Sequence, residues 1–140
     1  MIIPEKIIYQ AHAKAIGGRD GHVSTLDGQF SMALARPKEM SGSGEGCNPE
    51  QLFAAGYSAC FLGAMRFVAH NYQVVLPETL SVEAIVGFGP IPEGFGLHVE
   101  LRIAAPGIDH DTLTSIVEHA HRVCPYSNAT RNNIEVKLVI

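Results

Sequence analysis

The sequence predicts an α+β fold in which mainly antiparallel strands surround a long central helix. Three observations lead there. Alternating or β-branched stretches occur near the start, in the middle and at the end of the chain. Between them lies an apolar run with helical start signals, "NPEQLFAAGYSACFLGAMRFVAHNY" at 48–72. A second, amphipathic segment, "DTLTSIVEHAHRVC", follows later. Strands, long helix, strands, helix and strand in that order segregate the helices rather than alternate them with parallel strands. At 140 residues, without an internal repeat or linker, the chain reads as one domain over 1–140.

Each element has its own signal. "KIIYQAHAKAI" (6–16) alternates partially and reads as a strand, followed by the turn formers "GGRDG" (17–21). "HVSTLDGQFSMAL" reads as two short strands around Asp27-Gly28, a hairpin signal. "RPKEMSGSGEGCN" (36–48) is a glycine- and serine-rich loop. Asn48 then suits an N-cap, Pro49 the first helical position, Glu50 the positive end of the dipole, and Gln51 completes a capping box. This helix is expected to run to about residue 71. Apolar almost all round, with small residues Ala54, Ala55, Gly56, Ala59, Gly63 and Ala64, it reads as buried and closely approached. Residues 79–89 and 96–105 read as two strands joined through "PIPEG". Asp109 or Asp111 can start the second helix, and Pro125 should end it by biasing Cys124 away from helical dihedrals. "NNIEVKLVI" closes the chain as an alternating strand.

Composition narrows the function. A formal charge of −4 argues against a nucleic-acid partner. The apolar stretches are interrupted and read as too short to span a membrane. "MIIPEKIIYQ" lacks the regions of a signal peptide, so a cytoplasmic location is expected. Three cysteines, an odd count, do not read as a secreted disulfide framework.

The thiols carry the chemistry, and each has a plain alternative. Cys60, mid-helix in "YSACFLGA", is either a small buried hydrophobe or a reactive thiol. An apolar helix raises a thiol's pKa, so reactivity there needs a cation from another segment. Arg66, six positions on, points about 120° away. Cys124 sits at a helix C-terminus, where the dipole disfavours a thiolate, which makes it a poor first nucleophile. Cys47, just before the N-cap, reads as an incidental loop thiol. Seven histidines raise a metal reading, but no CxxC, HExxH or zinc-like spacing occurs. "GSGEGC" lacks the Lys-Ser/Thr of a phosphate-binding loop.

"NPEQLFAAGYSACFLGA" (48–64) together with "CPYSNATRNN" (124–133) closely resembles the organic hydroperoxide resistance proteins, within the superfamily that includes the osmotically inducible proteins. "GGRDG", the Asp27-Gly28 hairpin and the last strand fit as well, so the resemblance covers nearly the whole chain. It implies an intertwined α+β homodimer and a thiol-dependent peroxidase that reduces organic hydroperoxides, including fatty-acid hydroperoxides, to alcohols and protects against oxidative stress. By the same resemblance Cys60 is the peroxidatic cysteine, Cys124 resolves it as an intramolecular disulfide, Arg19 activates the thiolate and Glu50 orients Arg19. No tightly bound cofactor or metal is implied; the electron donor is dihydrolipoamide or a lipoylated protein. Cys47 departs from the expected small residue. Glu50 and Cys60 are ten residues apart, about 15 Å along a straight helix, so either the helix bends or the site is shared across the dimer, and the shared site is favoured. Phe53, Leu62 and Phe67 would make it greasy. The rival readings are a lipid-binding domain with packing thiols, an acyl transferase needing a histidine base, and the osmotically inducible branch with the same chemistry.

Overall fold

The computed structural model describes residues 1–140, which divide into two compact units, Met1–Leu52 and Phe53–Ile140. The first unit holds a small antiparallel sheet of β1 (Ala13–Ile16), β2 (His22–Thr25) and β3 (Ser31–Ala33), in the order β1-β2-β3. The Asp27-Gly28 hairpin forms as expected, with Asp27 Oδ1 accepting from the Gln29 N–H at 3.0 Å. The first strand is shorter than its sequence pattern. Only Ala13–Ile16 has a partner strand, pairing with His22–Thr25, and residues 6–12 run outside the sheet.

Helix α1 (Pro49–Ala69) starts where the sequence places it. Asn48 Oδ1 accepts from the Gln51 N–H at 2.9 Å, and Gln51 Oε1 accepts from the Asn48 N–H at 3.0 Å. This reciprocal capping box satisfies two donors that a helix start otherwise leaves without partners. The expectation that α1 is buried all round needs correction. Tyr57, Phe61, Met65 and Val68 form a fully buried face at helical spacing, whereas Ala55, Ala59, Gly63 and Phe67 on other faces are exposed. By length and composition Pro49–Tyr72 is also apolar enough to cross a membrane, contrary to the sequence expectation. A core helix gives the same signal, and the buried face of α1 packs in the core of the second unit.

That core is built from α1, β5 and α2. Strands β4 (Ser81–Ile91) and β5 (Gly94–Ala104) pair antiparallel along their whole length. They extend further toward the hairpin than their sequence limits, because pairing continues to Ile91 and Gly94 and leaves only Pro92 and Glu93 to turn. Strand β6 (Val136–Val139) adds to β5 in parallel. The sheet order β4-β5-β6 is thus mixed, and β5 alternates Val99, Leu101 and Ile103 into the core. Helix α2 (His110–Val123) is N-capped by Asp109, which accepts from the Thr112 N–H, and buries Leu113, Ile116, Val117 and Ala120. The period-2 and 3.6-residue patterns therefore meet on one cluster.

After α2 the chain does not simply turn. Pro125–Thr130 forms a short helix, α3, with Pro125 at its first position, where its missing N–H costs nothing. Cys124 is both the C-cap of α2 and the N-cap of α3. Replacing Asn48 by Ala should destabilise the protein by about 1 kcal/mol, read by urea unfolding; no change would deny the capping box a role in holding α1.

Candidate active site

Cys60 projects from α1 and is partly buried, while Cys124 is fully buried between α2 and α3. The Cys124 thiol donates to Cys60 Sγ across 3.6 Å. A disulfide requires about 2.05 Å, so these are two free thiols in contact. Cys124 has φ −62° and ψ 125°, the extended conformation that a residue before proline favours. Its N–H still donates to Ala120 O at 2.8 Å, and its C=O accepts from the Asn128 N–H at 2.9 Å. The thiol is therefore held at a junction of two helices. The sequence argument that a helix C-terminus disfavours a thiolate is incomplete, since the same residue also begins a helix.

"PYSNATR" packs this junction onto α1. The Tyr126 ring lies 5.6 Å from Tyr57 and 6.0 Å from Phe53, centroid to centroid. It passes over Gly56, where a Cβ would stand 2.7 Å from the Tyr126 hydroxyl oxygen, so glycine makes room for the ring. Ser127 is fully buried, and its Oγ lies 2.9 Å from Tyr57 Oη and 2.9 Å from His121 Nδ1. Tyr57 Oη also lies 3.2 Å from Thr130 Oγ1, which donates to the Tyr126 and Ser127 carbonyls. Arg131 holds the outer side, donating to Asn128 Oδ1 at 2.7 Å and to the His121 carbonyl.

Each hydroxyl has only one hydrogen to give. All contacts in this chain are satisfied when His121 Nδ1–H donates to Ser127, Ser127 to Tyr57, Tyr57 to Thr130, and Thr130 to the α3 carbonyls. The hydrogen count thus assigns the proton on His121 to Nδ1. Tyr57, Thr130 and His121 are absent from the site expected on sequence. A lone phenol three residues before Cys60 in an apolar helix is the signal for Tyr57. In the sequence His121 is one of seven histidines that together raise only a metal reading, and no group of three or more His, Cys, Asp or Glu gathers in the chain.

Arg19 and Glu50 meet in the first unit. Gly17 and Gly18, at φ +79° and +61°, take left-handed conformations that favour glycine and open the short turn bearing Arg19. Its guanidinium grips Glu50 through two bonds, Nη1 to Oε2 at 2.8 Å and Nη2 to Oε1 at 2.7 Å. This planar fork fixes the arginine as lysine could not. Arg19 holds the Glu50 carboxyl below the usual carboxylate range, against the opposing effect of burial. Cys47 also lies in the first unit, partly buried, with its thiol donating to the Asn48 carbonyl at 3.6 Å.

The family pattern described as OsmC-like protein matches residues 42–139. An organic hydroperoxide resistance protein of Xanthomonas axonopodis pv. citri is 53% identical over 141 aligned positions, covering 100% of this chain and 99% of that one. The chain belongs to the organic hydroperoxide resistance proteins of the OsmC-like family. Solved members superpose closely. An organic hydroperoxide resistance protein from Legionella pneumophila matches with a TM-score of 0.91 at 47% identity, over 96% of this chain and 98% of that one. One from Vibrio cholerae, with captopril bound in one of its active sites, matches with a TM-score of 0.91 at 46% identity, over 96% and 93%.

Within this family member the ionisation of the site follows from burial. Burial pushes the Cys60 thiol up; the Tyr126 main-chain N–H pulls it back, and Cys124 adds to the rise. Of the three apolar residues expected around Cys60, Phe53 reaches the Tyr126 ring, Leu62 packs on the core, and Phe67 remains 70% exposed. Burial, reinforced by the charge of Arg131, pushes the His121 imidazole down. The unfolded chain therefore takes up this proton first as pH falls below about 6.5, so stability is lost on acidification through that range. Thermal unfolding should show a steeper fall in midpoint between pH 7.5 and 5.5 for the wild type than for His121→Asn; equal slopes would rule out His121 as the group responsible.

Proposed function

We propose that this chain is a cysteine-dependent peroxidase that reduces organic hydroperoxides to alcohols. The observation that carries the reading is the pair of free thiols 3.6 Å apart at Cys60 and Cys124, in a member of this family. Cys60 is the peroxidatic cysteine. It is the more exposed of the two thiols, whereas Cys124 is fully buried behind it, so Cys60 is the sulfur that a hydroperoxide reaches first. The Cys60 thiolate attacks one peroxide oxygen, the O–O bond breaks, and the departing alkoxide takes a proton to leave as alcohol. Cys60 is then a sulfenic acid. Cys124 attacks its sulfur, the S–O bond breaks, and hydroxide leaves with the thiol proton as water. A dithiol of the lipoyl type, free or on a protein, reopens the disulfide by exchange.

A thiol that burial pushes up needs a cation to be reactive near neutral pH. Arg19, oriented by Glu50, fills that role in this reading. Glu50 occupies the first turn of α1, and ten helical residues to Cys60 span about 15 Å, so the guanidinium is assigned to the partner subunit's Cys60 in an intertwined homodimer. The exposed apolar residues favour such a dimer. Ile2, Ile3, Ile7, Ile8 and Tyr9 are uncovered, as is the Ala55, Ala59, Gly63 and Phe67 side of α1. The first unit buries little of its own, chiefly Val23, Leu34 and Ala35. All three thiols are free, in keeping with a reducing, cytoplasmic setting.

A cavity of ≈ 610 Å³, lined by Phe53, Ile91, Phe95, Leu97 and Ile134 on its apolar side and by Thr130, Asn133 and Glu135 on its polar side, supports an organic substrate, because Phe53 links it to the Tyr126 ring. Turnover with dihydrolipoamide should be more efficient on cumene or fatty-acid hydroperoxides than on hydrogen peroxide. Cys60→Ser should lower it about a hundredfold or more, and Cys124→Ser should leave the first oxidation intact while Cys60 over-oxidises. Equal efficiency on hydrogen peroxide would remove the substrate assignment, and full activity in Cys60→Ser would remove the mechanism. Mixing Arg19→Ala with Cys60→Ser chains should restore part of the activity in verified heterodimers; no recovery would place both residues of a working site in one chain.

A further inference from the structure

Two ties join α1 to the segment that follows α2, and they keep a common register. Cys60 meets Cys124, and Tyr57 meets Ser127. Tyr57 lies three residues before Cys60, whereas Ser127 lies three after Cys124. The hydroxyl tie therefore sits about one helical turn, roughly 5 Å, from the sulfur pair. Thr130, three residues further along α3, meets the same phenol at 3.2 Å.

Helix α3 has six residues, too few to be stable without packing. Its first main-chain bond runs from the Asn128 N–H to the Cys124 carbonyl, so the Cys124 backbone moves with α3. The Tyr57 hydroxyl is fully buried and bonds to two α3 side chains. The oxidised protein must close the Sγ–Sγ gap from 3.6 Å to about 2.05 Å. That approach competes with a second hydroperoxide, which would carry the sulfenic acid on to sulfinic acid.

We propose that Tyr57 is a positioning residue for the resolving step: through Ser127 and Thr130 its hydroxyl holds α3 in register with α1, so that the Cys124 thiol reaches the Cys60 sulfenic acid before a second hydroperoxide does. This rests on the peroxidase reading. The step itself needs no outside oxidant or reductant. The Cys124 proton and the sulfenic hydroxyl leave as water while the S–S bond forms. Tyr57 touches neither the substrate nor the reacting sulfurs, and the aromatic packing of its ring against Phe53 and Tyr126 does not depend on its oxygen.

Tyr57→Phe deletes that oxygen alone, and Ser127→Ala removes the Tyr57–Ser127 tie from the other end together with the His121 contact. Reduced wild type and both variants are given cumene hydroperoxide, quenched over time, and the state of Cys60 is followed by mass spectrometry beside thermal midpoints. Loss of the Cys60 thiol should proceed within about twofold of wild type in each variant. Disulfide formation should slow about tenfold, the scale of a small misplacement of reacting atoms, with a matching rise in sulfinic acid. The double variant should slow by less than the product of the two single effects, since both singles break the Tyr57–Ser127 tie. A lowered midpoint with a wild-type ratio of disulfide to sulfinic acid would make the tie merely structural and overturn the proposal. Should Tyr57→Phe not fold, Ser127→Ala carries the same readout. Wild type that forms disulfide beside unaltered variants sinks this proposal alone; wild type that forms none sinks the peroxidase reading and this proposal with it.

Discussion

The break between α2 and α3 is the constraint on which the site depends. Proline cannot donate, and its ring keeps the preceding residue out of the helical region. Pro125 thus forces Cys124 to an extended ψ of 125° between two helices. A continuous helix would have placed residue 124 by the periodicity of α2 alone. The break instead lets α3 set out along α1 with its own direction, and it brings a fully buried thiol onto Cys60. The neighbouring residues then serve that junction: Pro125 starts α3, Tyr126 packs on Gly56, Ser127 and Thr130 bond to Tyr57, and Arg131 holds the His121 carbonyl.

Burial and reactivity pull against each other here. A buried junction needs every polar group satisfied, and the chain from His121 through Ser127 and Tyr57 to Thr130 does so with one consistent direction of hydrogens. The same burial raises the Cys60 thiol. A thiol raised in this way needs a nearby positive charge to react near neutral pH. In the proposed reaction that charge is assigned to Arg19, whose guanidinium Glu50 fixes through two hydrogen bonds.

Much of this was legible in the sequence, for identifiable reasons. Local signals carried the capping box at Asn48 and Gln51, the Asp27-Gly28 hairpin and the end of α2 at Pro125, because each depends on residues within a few positions. The thiol pair came from motif resemblance, since 64 residues separate its members and no periodicity links them. Other features were beyond local reasoning. Residues 6–12 have strand-like composition but no partner strand. Apolar composition could not distinguish the buried Tyr57–Val68 face of α1 from its open side. "PYSNAT" carries turn-forming residues, yet α3 forms because tertiary bonds to Tyr57 stabilise it.

The most direct measurement is a map of all three thiols after one equivalent of an organic hydroperoxide is added to the reduced protein without reductant. The expected product is a Cys60–Cys124 disulfide formed within seconds, with Cys47 still free. Cys60 and Cys124 both remaining as thiols, or a disulfide that instead involves Cys47, would contradict the redox pair and return Cys60 and Cys124 to a packing role.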